Sequence, residues 1–287
     1  MPTLVPLTRR RFLKRALAAT LLGGGTTSAY AWRIEPHWVE VVRRDLPIAR
    51  LPDRLAGRTL VQLSDLHVGP EVADSYLKDA LKRVSALEPD LVVLTGDFVT
   101  CVRGEQVERA ARVLSHLKPP RLGAFAALGN HDYGSCYGLR KVADRLTRRL
   151  RDLGIDVLRN DRREVHGLTV AGIDDYWGPN YCPTKVLATL SHDRANLVLC
   201  HNPDVADEPV WDGYRGWILC GHTHGGQCKP PLLAPPLLPV KNKRYVAGEI
   251  DLFDGRRLYV NRGLGHLLRA RFNVRPEVTV FTLRRAG

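Results

Sequence analysis

Short apolar runs recur along the chain from Thr59 onward, and stretches with helical spacing separate most of them. The runs TLVQL, DLVVL and GAFAAL are continuous rather than alternating, as in strands buried on both faces of a sheet. The stretches 74–87, 105–118 and 139–153 predict helices between them. This order predicts an α/β fold with helices on both faces of a sheet. The first predicted helix carries an apolar stripe of Leu77, Ala80, Leu81 and Val84.

The second half of the chain supplies further apolar runs, LTVAGI, NLVLC and GWILC. It closes with strands predicted at 245–253, 257–262 and 278–284, and the turn signal Asp254-Gly255 joins the first two. Ahead of the main body, residues 32–57 are mixed in character. Within them WVEVVRRDLPI predicts a strand or hairpin that leads into the main fold.

Metal-capable side chains directly follow five of these apolar runs. In open α/β sheets ligands bind beyond the carboxyl ends of the strands. Each residue alone has an ordinary explanation, such as a helix cap for Asp97 or a turn for Asn130. Their joint occurrence at five strand ends favours one shared metal site. The residues are Asp65 and His67, Asp97, Asn130 and His131, His201, and His222 and His224.

The stretch LCGHTHGGQC contains the last two candidate ligands, His222 and His224. With one residue between them, His222 and His224 can both project from one side of an extended turn, while Thr223 points away. The flanking glycines allow the backbone to turn tightly. This geometry lets both histidines reach one metal site.

Taken in order, the motifs are D-x-H, G-D, G-N-H-D, a lone His, and G-H-x-H. This set resembles the calcineurin-like metallophosphoesterase family over residues 58–287. GHTHGGQ and the late RPEVTVFTL are similar to an exported or membrane-associated phosphodiesterase branch of that family. The resemblance implies a four-layer αββα sandwich, with two mixed sheets flanked by helices.

The resemblance also implies a role for each residue of the site. Two divalent ions, with Zn or Mn favoured and Fe as an alternative, would hold a water that attacks phosphorus. Asp97 would bridge the ions. His131 would protonate the leaving oxygen or steady the developing charge, and Asp132 would orient His131. One ion would take Asp65, His67 and His224, and the other would take Asn130, His201 and His222.

The charge of the chain points to export and to anionic partners. The formal net charge is +13, and residues 1–31 hold five of these positive charges and no acid. TRRRFLK, at residues 8–14, resembles the twin-arginine export signal, and a weakly apolar stretch then ends in Ala29-Tyr30-Ala31. A basic helix kept in the mature protein is the alternative, and the glycines 23–25 disfavour it. The predicted organisation is a signal or anchor at 1–31, a strand or linker at 32–57 and the catalytic domain at 58–287.

Together these features predict a metal-dependent phosphohydrolase that acts outside the cytoplasm on a diester or pyrophosphate. The apolar loop KPPLLAPPLLP, residues 229–239, either rests on a membrane and admits a lipid-linked substrate or is an ordinary connector. The alternatives are a phosphomonoesterase, a nuclease and a non-catalytic metal-binding protein. Nucleic acid is disfavoured because no aromatic patch of the base-stacking type is interleaved with the basic residues. The oligomeric state stays open.

Several tempting residues receive ordinary interpretations. Cys200 should face the core as a small buried thiol. We expect His266 to lie on a surface loop, and Arg271 is a weak candidate for binding substrate phosphate. Cys101 and Cys136 each follow a ligand motif closely and are candidates for a disulfide.

Overall fold

Two six-stranded mixed sheets pack face to face in the computed structural model, which describes residues 8–100 and 105–286. Helices cover the outer face of each sheet. The predicted four-layer αββα architecture is therefore confirmed. Its layers follow from continuous apolar strands, because a strand with two apolar faces needs a partner layer on each side.

Neighbouring strands of the first sheet are parallel, except that the strand at residues 277–285 is antiparallel to the strand at residues 59–63. Its strands in spatial order are β1 (Glu40–Ile48), β12 (Glu277–Arg285), β2 (Thr59–Leu63), β3 (Leu91–Thr95), β4 (Ala124–Ala127) and β5 (Ile155–Val157).

The second sheet has a parallel centre and an antiparallel strand at each edge. Its strands in spatial order are β10 (Gly248–Asp251), β11 (Arg256–Val260), β9 (Gly216–Cys220), β8 (Ala195–Leu199), β7 (Leu168–Gly172) and β6 (Asp161–Val165). The predicted strand at 245–253 is shorter than expected because Tyr245 and Val246 form turns with the residues before them.

Three helices cover the first sheet: α2 (Asp74–Ala86), α3 (Glu105–Leu114) and α4 (Arg140–Asp152). The apolar stripe predicted for the first of them is buried as expected. The helix α3 ends four residues before the predicted position 118. There the backbone changes to tighter i→i−3 bonds, from His116 to Val113 and from Leu117 to Leu114. The short helix α5 (Thr184–Leu187) lies against the second sheet.

Alternate residues of each strand serve different layers. Val61 of β2 faces the helices, whereas its neighbour Leu60 packs between the sheets. In the second sheet Leu197 lies between the sheets and Val198 faces outward. Cys200 is buried on that outward side, as predicted. Cys101, the suggested partner of Cys136, lies outside the described residues.

The strand predicted within 32–57 is confirmed as β1, which pairs with β12 along its whole length. Residues 40–48 are thus an integral edge strand of the first sheet. The domain boundary drawn at residue 58 and the signal at 1–31 stay predictions.

A continuous helix, α1, runs from Arg9 to Arg33. The expectation that the glycines 23–25 disfavour a helix here is therefore wrong. Each glycine costs only about 1 kcal/mol relative to alanine, and the side chain of Thr8 caps the first turn by accepting from the Arg11 N–H. No described helix is both long enough and apolar enough to cross a membrane.

Candidate metal centre

The loops that follow β2, β3, β4, β8 and β9 meet at the carboxyl edges of the two sheets. Backbone bonds join them: the Asp65 N–H donates to the Gly96 carbonyl, and the His67 N–H donates to the Asp97 carbonyl. All seven predicted ligands are buried. They are Asp65, His67, Asp97, Asn130, His201, His222 and His224.

Most of these ligands have strained backbones. Of the seven, five have a positive φ, between 48° and 73°. Non-glycine residues rarely adopt this conformation, and where they do they cluster at functional sites. The five are Asp65, His67, Asp97, His222 and His224.

The first group of ligand atoms comes from Asp65, His67 and His224, and their positions could hold one ion. His224 Nε2 lies 3.2 Å from Asp65 Oδ1 and 3.0 Å from His67 Nε2. His67 Nε2 lies 3.8 Å from Asp65 Oδ1. The structure thus brings together the three residues predicted to share an ion.

The second group comes from Asp97, His201 and His222. His201 Nε2 lies 3.1 Å from Asp97 Oδ2, and His222 Nδ1 lies 3.2 Å from His201 Nε2. His222 and His224 belong to different groups, in the arrangement that the family resemblance implies. Asn130 is buried, and its Oδ1 atom has no hydrogen-bond partner.

Asp97 lies between the two groups. Its Oδ2 atom is 3.1 Å from His201 Nε2 and 3.5 Å from His67 Nε2. The other oxygen, Oδ1, accepts a hydrogen bond of 2.9 Å from the His131 N–H. This position fits a carboxylate that bridges two ions.

Hydrogen bonds to backbone carbonyls orient two of the imidazoles. His201 Nδ1 lies 2.7 Å from the Thr95 carbonyl oxygen, and His222 Nε2 lies 2.9 Å from the Pro239 carbonyl oxygen. A ring nitrogen that donates to a carbonyl leaves the other nitrogen with a free lone pair. His201 Nε2 and His222 Nδ1 are therefore the nitrogens available to a metal.

The set of donor atoms fits two divalent cations. His67 Nε2 and His224 Nε2 face each other at 3.0 Å, and the buried Asn130 Oδ1 has no partner in the protein. Buried polar atoms normally have partners, and lone pairs that converge at this distance are satisfied when they coordinate a cation. Nitrogen and carboxylate oxygen ligands suit Zn, Mn or Fe.

Burial and charge bring most of the ligands to their metal-binding protonation states. Burial, with help from His201, lowers the pKa of His222 to about 3, and burial also lowers the pKa of His67. Burial opposes ionisation of Asp65, but the nearby His224 and His201 together outweigh it and lower the pKa of this carboxyl. The pKa of His201 is raised: burial lowers it, but Asp97 outweighs burial. Metal binding would therefore release a proton from His201.

Glycines allow the ligand loops to approach one another. A Cβ atom on Gly129 would lie 2.3 Å from Asp97 Oδ1, and one on Gly221 would lie 2.4 Å from Asp65 Oδ2. Gly225 has a φ of +62°. The tight turn predicted around GHTH therefore holds for Gly225, whereas Gly221 is needed for close packing.

His131 is half-buried beside both groups. Its Nδ1 atom lies 3.2 Å from the Thr100 carbonyl oxygen, and its ring centre is 5.0 Å from that of His67. His67, Asp97 and His131 form a third group close enough to share an ion. The structure thus places His131 where it can serve the reaction or a metal.

The predicted role of Asp132 as the group that orients His131 is wrong. The Asp132 carboxylate instead accepts four backbone N–H bonds of 2.8–3.2 Å. A short polar side chain beside a tight loop satisfies nearby amides before it can reach another side chain. Asp132 thus shapes the loop that presents Asp97. The four donors are Asp97, Phe98, Val99 and Gly129.

A cavity of about 420 Å³ opens beside the ligands. Its aromatic wall was not predicted. Trp177 lies with its ring centre 4.7 Å from that of His222, and Tyr137 lies 5.4 Å from His131. The two aromatic rings stack 5.8 Å apart. Opposite them the cavity is lined by Leu237, Leu238, Leu267 and Leu268. A larger cavity of about 580 Å³ contains none of the predicted ligands.

Asp175, like Trp177 and Tyr137, was not predicted to belong to the site. It follows β7 in the run DDYWG, and its Oδ2 atom is buried without a partner. Burial raises the pKa of this carboxyl to about 7. The signal was present, because the strand-end rule that found the other ligands also applies to this strand.

In the late chain the expectation for His266 is wrong, whereas Arg271 is as poor a candidate for phosphate binding as expected. His266 is buried rather than on the surface, and its Nε2 atom lies 3.1 Å from the Glu71 carbonyl oxygen. Arg271 is fully buried and donates to backbone carbonyls, including that of Gly265 at 2.6 Å. Its guanidinium braces the loop and is not free to bind substrate phosphate.

Residues 58–226 match the calcineurin-like phosphoesterase family. The chain belongs to this family. The calcineurin-like phosphoesterase fold implies divalent metal ions, and the ligand groups described above are the candidates for holding them. The chain is thus a metal-dependent phosphoester hydrolase.

The chain is similar to other proteins of the family over nearly its whole length. It is 36% identical to a protein named phosphodiesterase YaeI, from Escherichia coli, over 96% of this chain and 99% of the relative. It is 33% identical to the uncharacterized metallophosphoesterase YkuE of Bacillus subtilis, over 97% and 98%. It is 28% identical to the UDP-2,3-diacylglucosamine pyrophosphatase LpxG of Chlamydia trachomatis, over 93% and 94%.

Proposed function

We propose that this protein is a phosphodiesterase that hydrolyses a phosphate diester or a pyrophosphate, with a lipid-linked substrate favoured. The observation that carries the proposal is the apolar cavity beside the ligands. None of the described residues that line it is a lysine or arginine. A diester has a second ester group that this space can receive, whereas a cavity for a charged group would offer cations.

The residues have distinct parts in the proposed reaction. When bound, the two ions, Zn or Mn by preference, supply an activated water and neutralise phosphoryl charge. Asp97 and the two groups of ligands hold these ions. The Nδ1–H of His131 donates to the Thr100 carbonyl, so Nε2 carries a proton only when the ring is a doubly protonated imidazolium. In that form His131 would give the Nε2 proton to the leaving oxygen and return to the neutral ring. Trp177 and Tyr137 form the wall against which an apolar ester group packs.

A panel of substrates tests this function. We expect the kcat/KM for bis(p-nitrophenyl) phosphate to exceed that for p-nitrophenyl phosphate by at least about tenfold, because only the diester has a second aryl group, which the cavity can hold while the first one leaves. The assay uses purified protein loaded with Mn or Zn, and adds a lipid pyrophosphate and a single-stranded oligonucleotide. Asp97→Asn is the background control. A preference for the monoester or for the oligonucleotide would refute the proposal.

We further infer that the protein acts outside the cytoplasm, after export by the twin-arginine machinery. The residues that support this are the paired arginines Arg9 and Arg10, with Phe12, Leu13 and Lys14 in the positions that follow. Replacing both arginines with lysine keeps the charge and is expected to leave most of the protein in the cytoplasm. Fractionation of cells measures this shift. An Arg15→Lys variant is the matched control and should be exported normally. Equal export of the paired variant would rule out this route.

A further inference from the structure

Several of the most exposed apolar side chains lie on two loops that contribute to the lining of the active-site cavity. Leu232 is fully exposed, and Leu233, Leu237 and Leu268 are 63%, 73% and 67% exposed. Leu232 also has a φ of 64°, which is uncommon for a leucine. We name this set, together with the less exposed Leu267, the apolar rim. Patches of this kind usually mark a surface that meets a partner.

Two loops form the apolar rim, and hydrogen bonds hold them together. The Lys229 N–H donates to the Phe272 carbonyl at 2.8 Å, and Gln227 Nε2 donates to the Leu268 carbonyl at 2.8 Å. Because three of the five rim leucines also line the cavity, the rim and the cavity form one apolar surface. These three are Leu237, Leu267 and Leu268.

The apolar rim is also connected to the metal centre. The first of its loops ends at Pro239, whose carbonyl oxygen lies 2.9 Å from His222 Nε2. A contact made by the rim therefore lies next to a residue that orients a metal ligand.

The charged residues within the two chain segments that form the apolar rim are all basic. Neither of the segments that contain it, 226–247 and 262–276, includes an Asp or Glu. Lys229 precedes one set of leucines and Arg269 directly follows the other. Apolar side chains beside cations are the composition of surfaces that enter the interface of an anionic bilayer.

The carboxyl end of the helix α1 lies beside the same surface. The Arg271 N–H donates to the Ala31 carbonyl at 2.9 Å, and the Arg269 guanidinium lies 5.7 Å from the centre of the Trp32 ring. All of the described residues before Trp32 in α1 are free of acidic side chains. The carboxyl end of the helix thus places Trp32 beside the loop that carries Leu267 and Leu268. The exposed apolar residues of the helix are Phe12, Leu13, Leu17, Leu21 and Leu22.

We propose that the apolar rim docks on an anionic lipid bilayer and places the mouth of the cavity at the membrane surface. The leucines enter the headgroup region, and the cations face anionic lipid. The consequence for catalysis rests on the proposed function: a lipid phosphodiester or pyrophosphate would pass from the bilayer along the leucines to the metal centre.

Vesicle binding of the full chain tests the docking without any turnover. We expect the protein to bind vesicles of equal parts phosphatidylglycerol and phosphatidylcholine, and to bind pure phosphatidylcholine more weakly. The double variant Leu232→Ser, Leu233→Ser should bind the anionic vesicles about tenfold or more weakly, because two apolar side chains no longer leave water. Neither residue lines the cavity, so hydrolysis of bis(p-nitrophenyl) phosphate in solution should be unchanged.

A matched control is Phe253→Ser, since Phe253 is 84% exposed but lies outside the apolar rim, in the hairpin between β10 and β11. It should bind vesicles as the unaltered protein does. Equal binding by the double variant, or no preference for anionic lipid, overturns the docking proposal even if the diesterase is active. Conversely, absence of diesterase activity with normal vesicle binding would count against the proposed function alone. A dimer that the double variant dissociates, without vesicle binding, would assign the rim to a second copy of the chain.

Discussion

Asp97→Asn is expected to lose both metal ions and to lower kcat/KM by at least about 1000-fold. The reason is the position of Asp97 Oδ2, 3.1 Å from His201 Nε2 and 3.5 Å from His67 Nε2, between the two ligand groups. An amide offers only one weakly charged oxygen, so it cannot join two cations as a carboxylate does. Metal analysis after dialysis and steady-state kinetics measure the two effects.

This variant is chosen to keep the fold. The asparagine oxygen can still accept the His131 N–H, which Asp97 Oδ1 accepts at 2.9 Å. A matched control is Asp79→Asn on the exposed face of α2, which removes the same charge far from the ligands. The control should keep two ions and full activity. Two ions per chain in Asp97→Asn, measured on folded protein, would show that the carboxylate does not bridge them.

The sequence predicted the fold and the ligand set for one physical reason. Continuous apolar strands must be covered on both faces, and ligands collect where such strands end. Three of the ligands lie two residues after the end of a strand, so a local pattern was enough to find them. They are Asp65, Asp97 and His201. Their division into two groups came from the family resemblance, and the structure places them accordingly.

Other features depend on contacts that no local pattern encodes. The family resemblance assigned Asp132 to His131, but its carboxylate turns to the backbone amides of the loop after β3. Trp177 and Tyr137 come from different loops and meet only in the folded chain. The buried state of Arg271 likewise depends on carbonyls that the loop itself presents.

The helix α1 shows the limit of propensity arguments. Three consecutive glycines lower helix stability, yet the helix continues through them. Its carboxyl end is held by the bond between the Ala31 carbonyl and the Arg271 N–H. A single sequence does not reveal a tertiary contact of this kind. The contact outweighs the low helix propensity of the three glycines.

His131→Ala is expected to keep both ions and to lower kcat by about 100- to 10,000-fold for a diester with an alkyl leaving group. The expected loss with a p-nitrophenyl leaving group is much smaller, because that phenolate departs without a proton. The argument rests on the Nδ1 contact with the Thr100 carbonyl, which leaves the Nε2–H of the doubly protonated ring free to act as the acid. Comparing the two substrates separates proton donation from simple charge stabilisation, which would affect both alike.

Metal content decides between this role and the alternative. His131 also belongs to a possible ligand group with His67 and Asp97. The matched control is His192→Ala, which replaces an exposed histidine in the loop before β8 and should keep two ions after dialysis. If His131 binds an ion, His131→Ala will lose metal in the same dialysis. Retained ions together with a loss that depends on the leaving group would establish His131 as the proton donor. Retained ions with wild-type turnover of the alkyl ester would remove His131 from the mechanism.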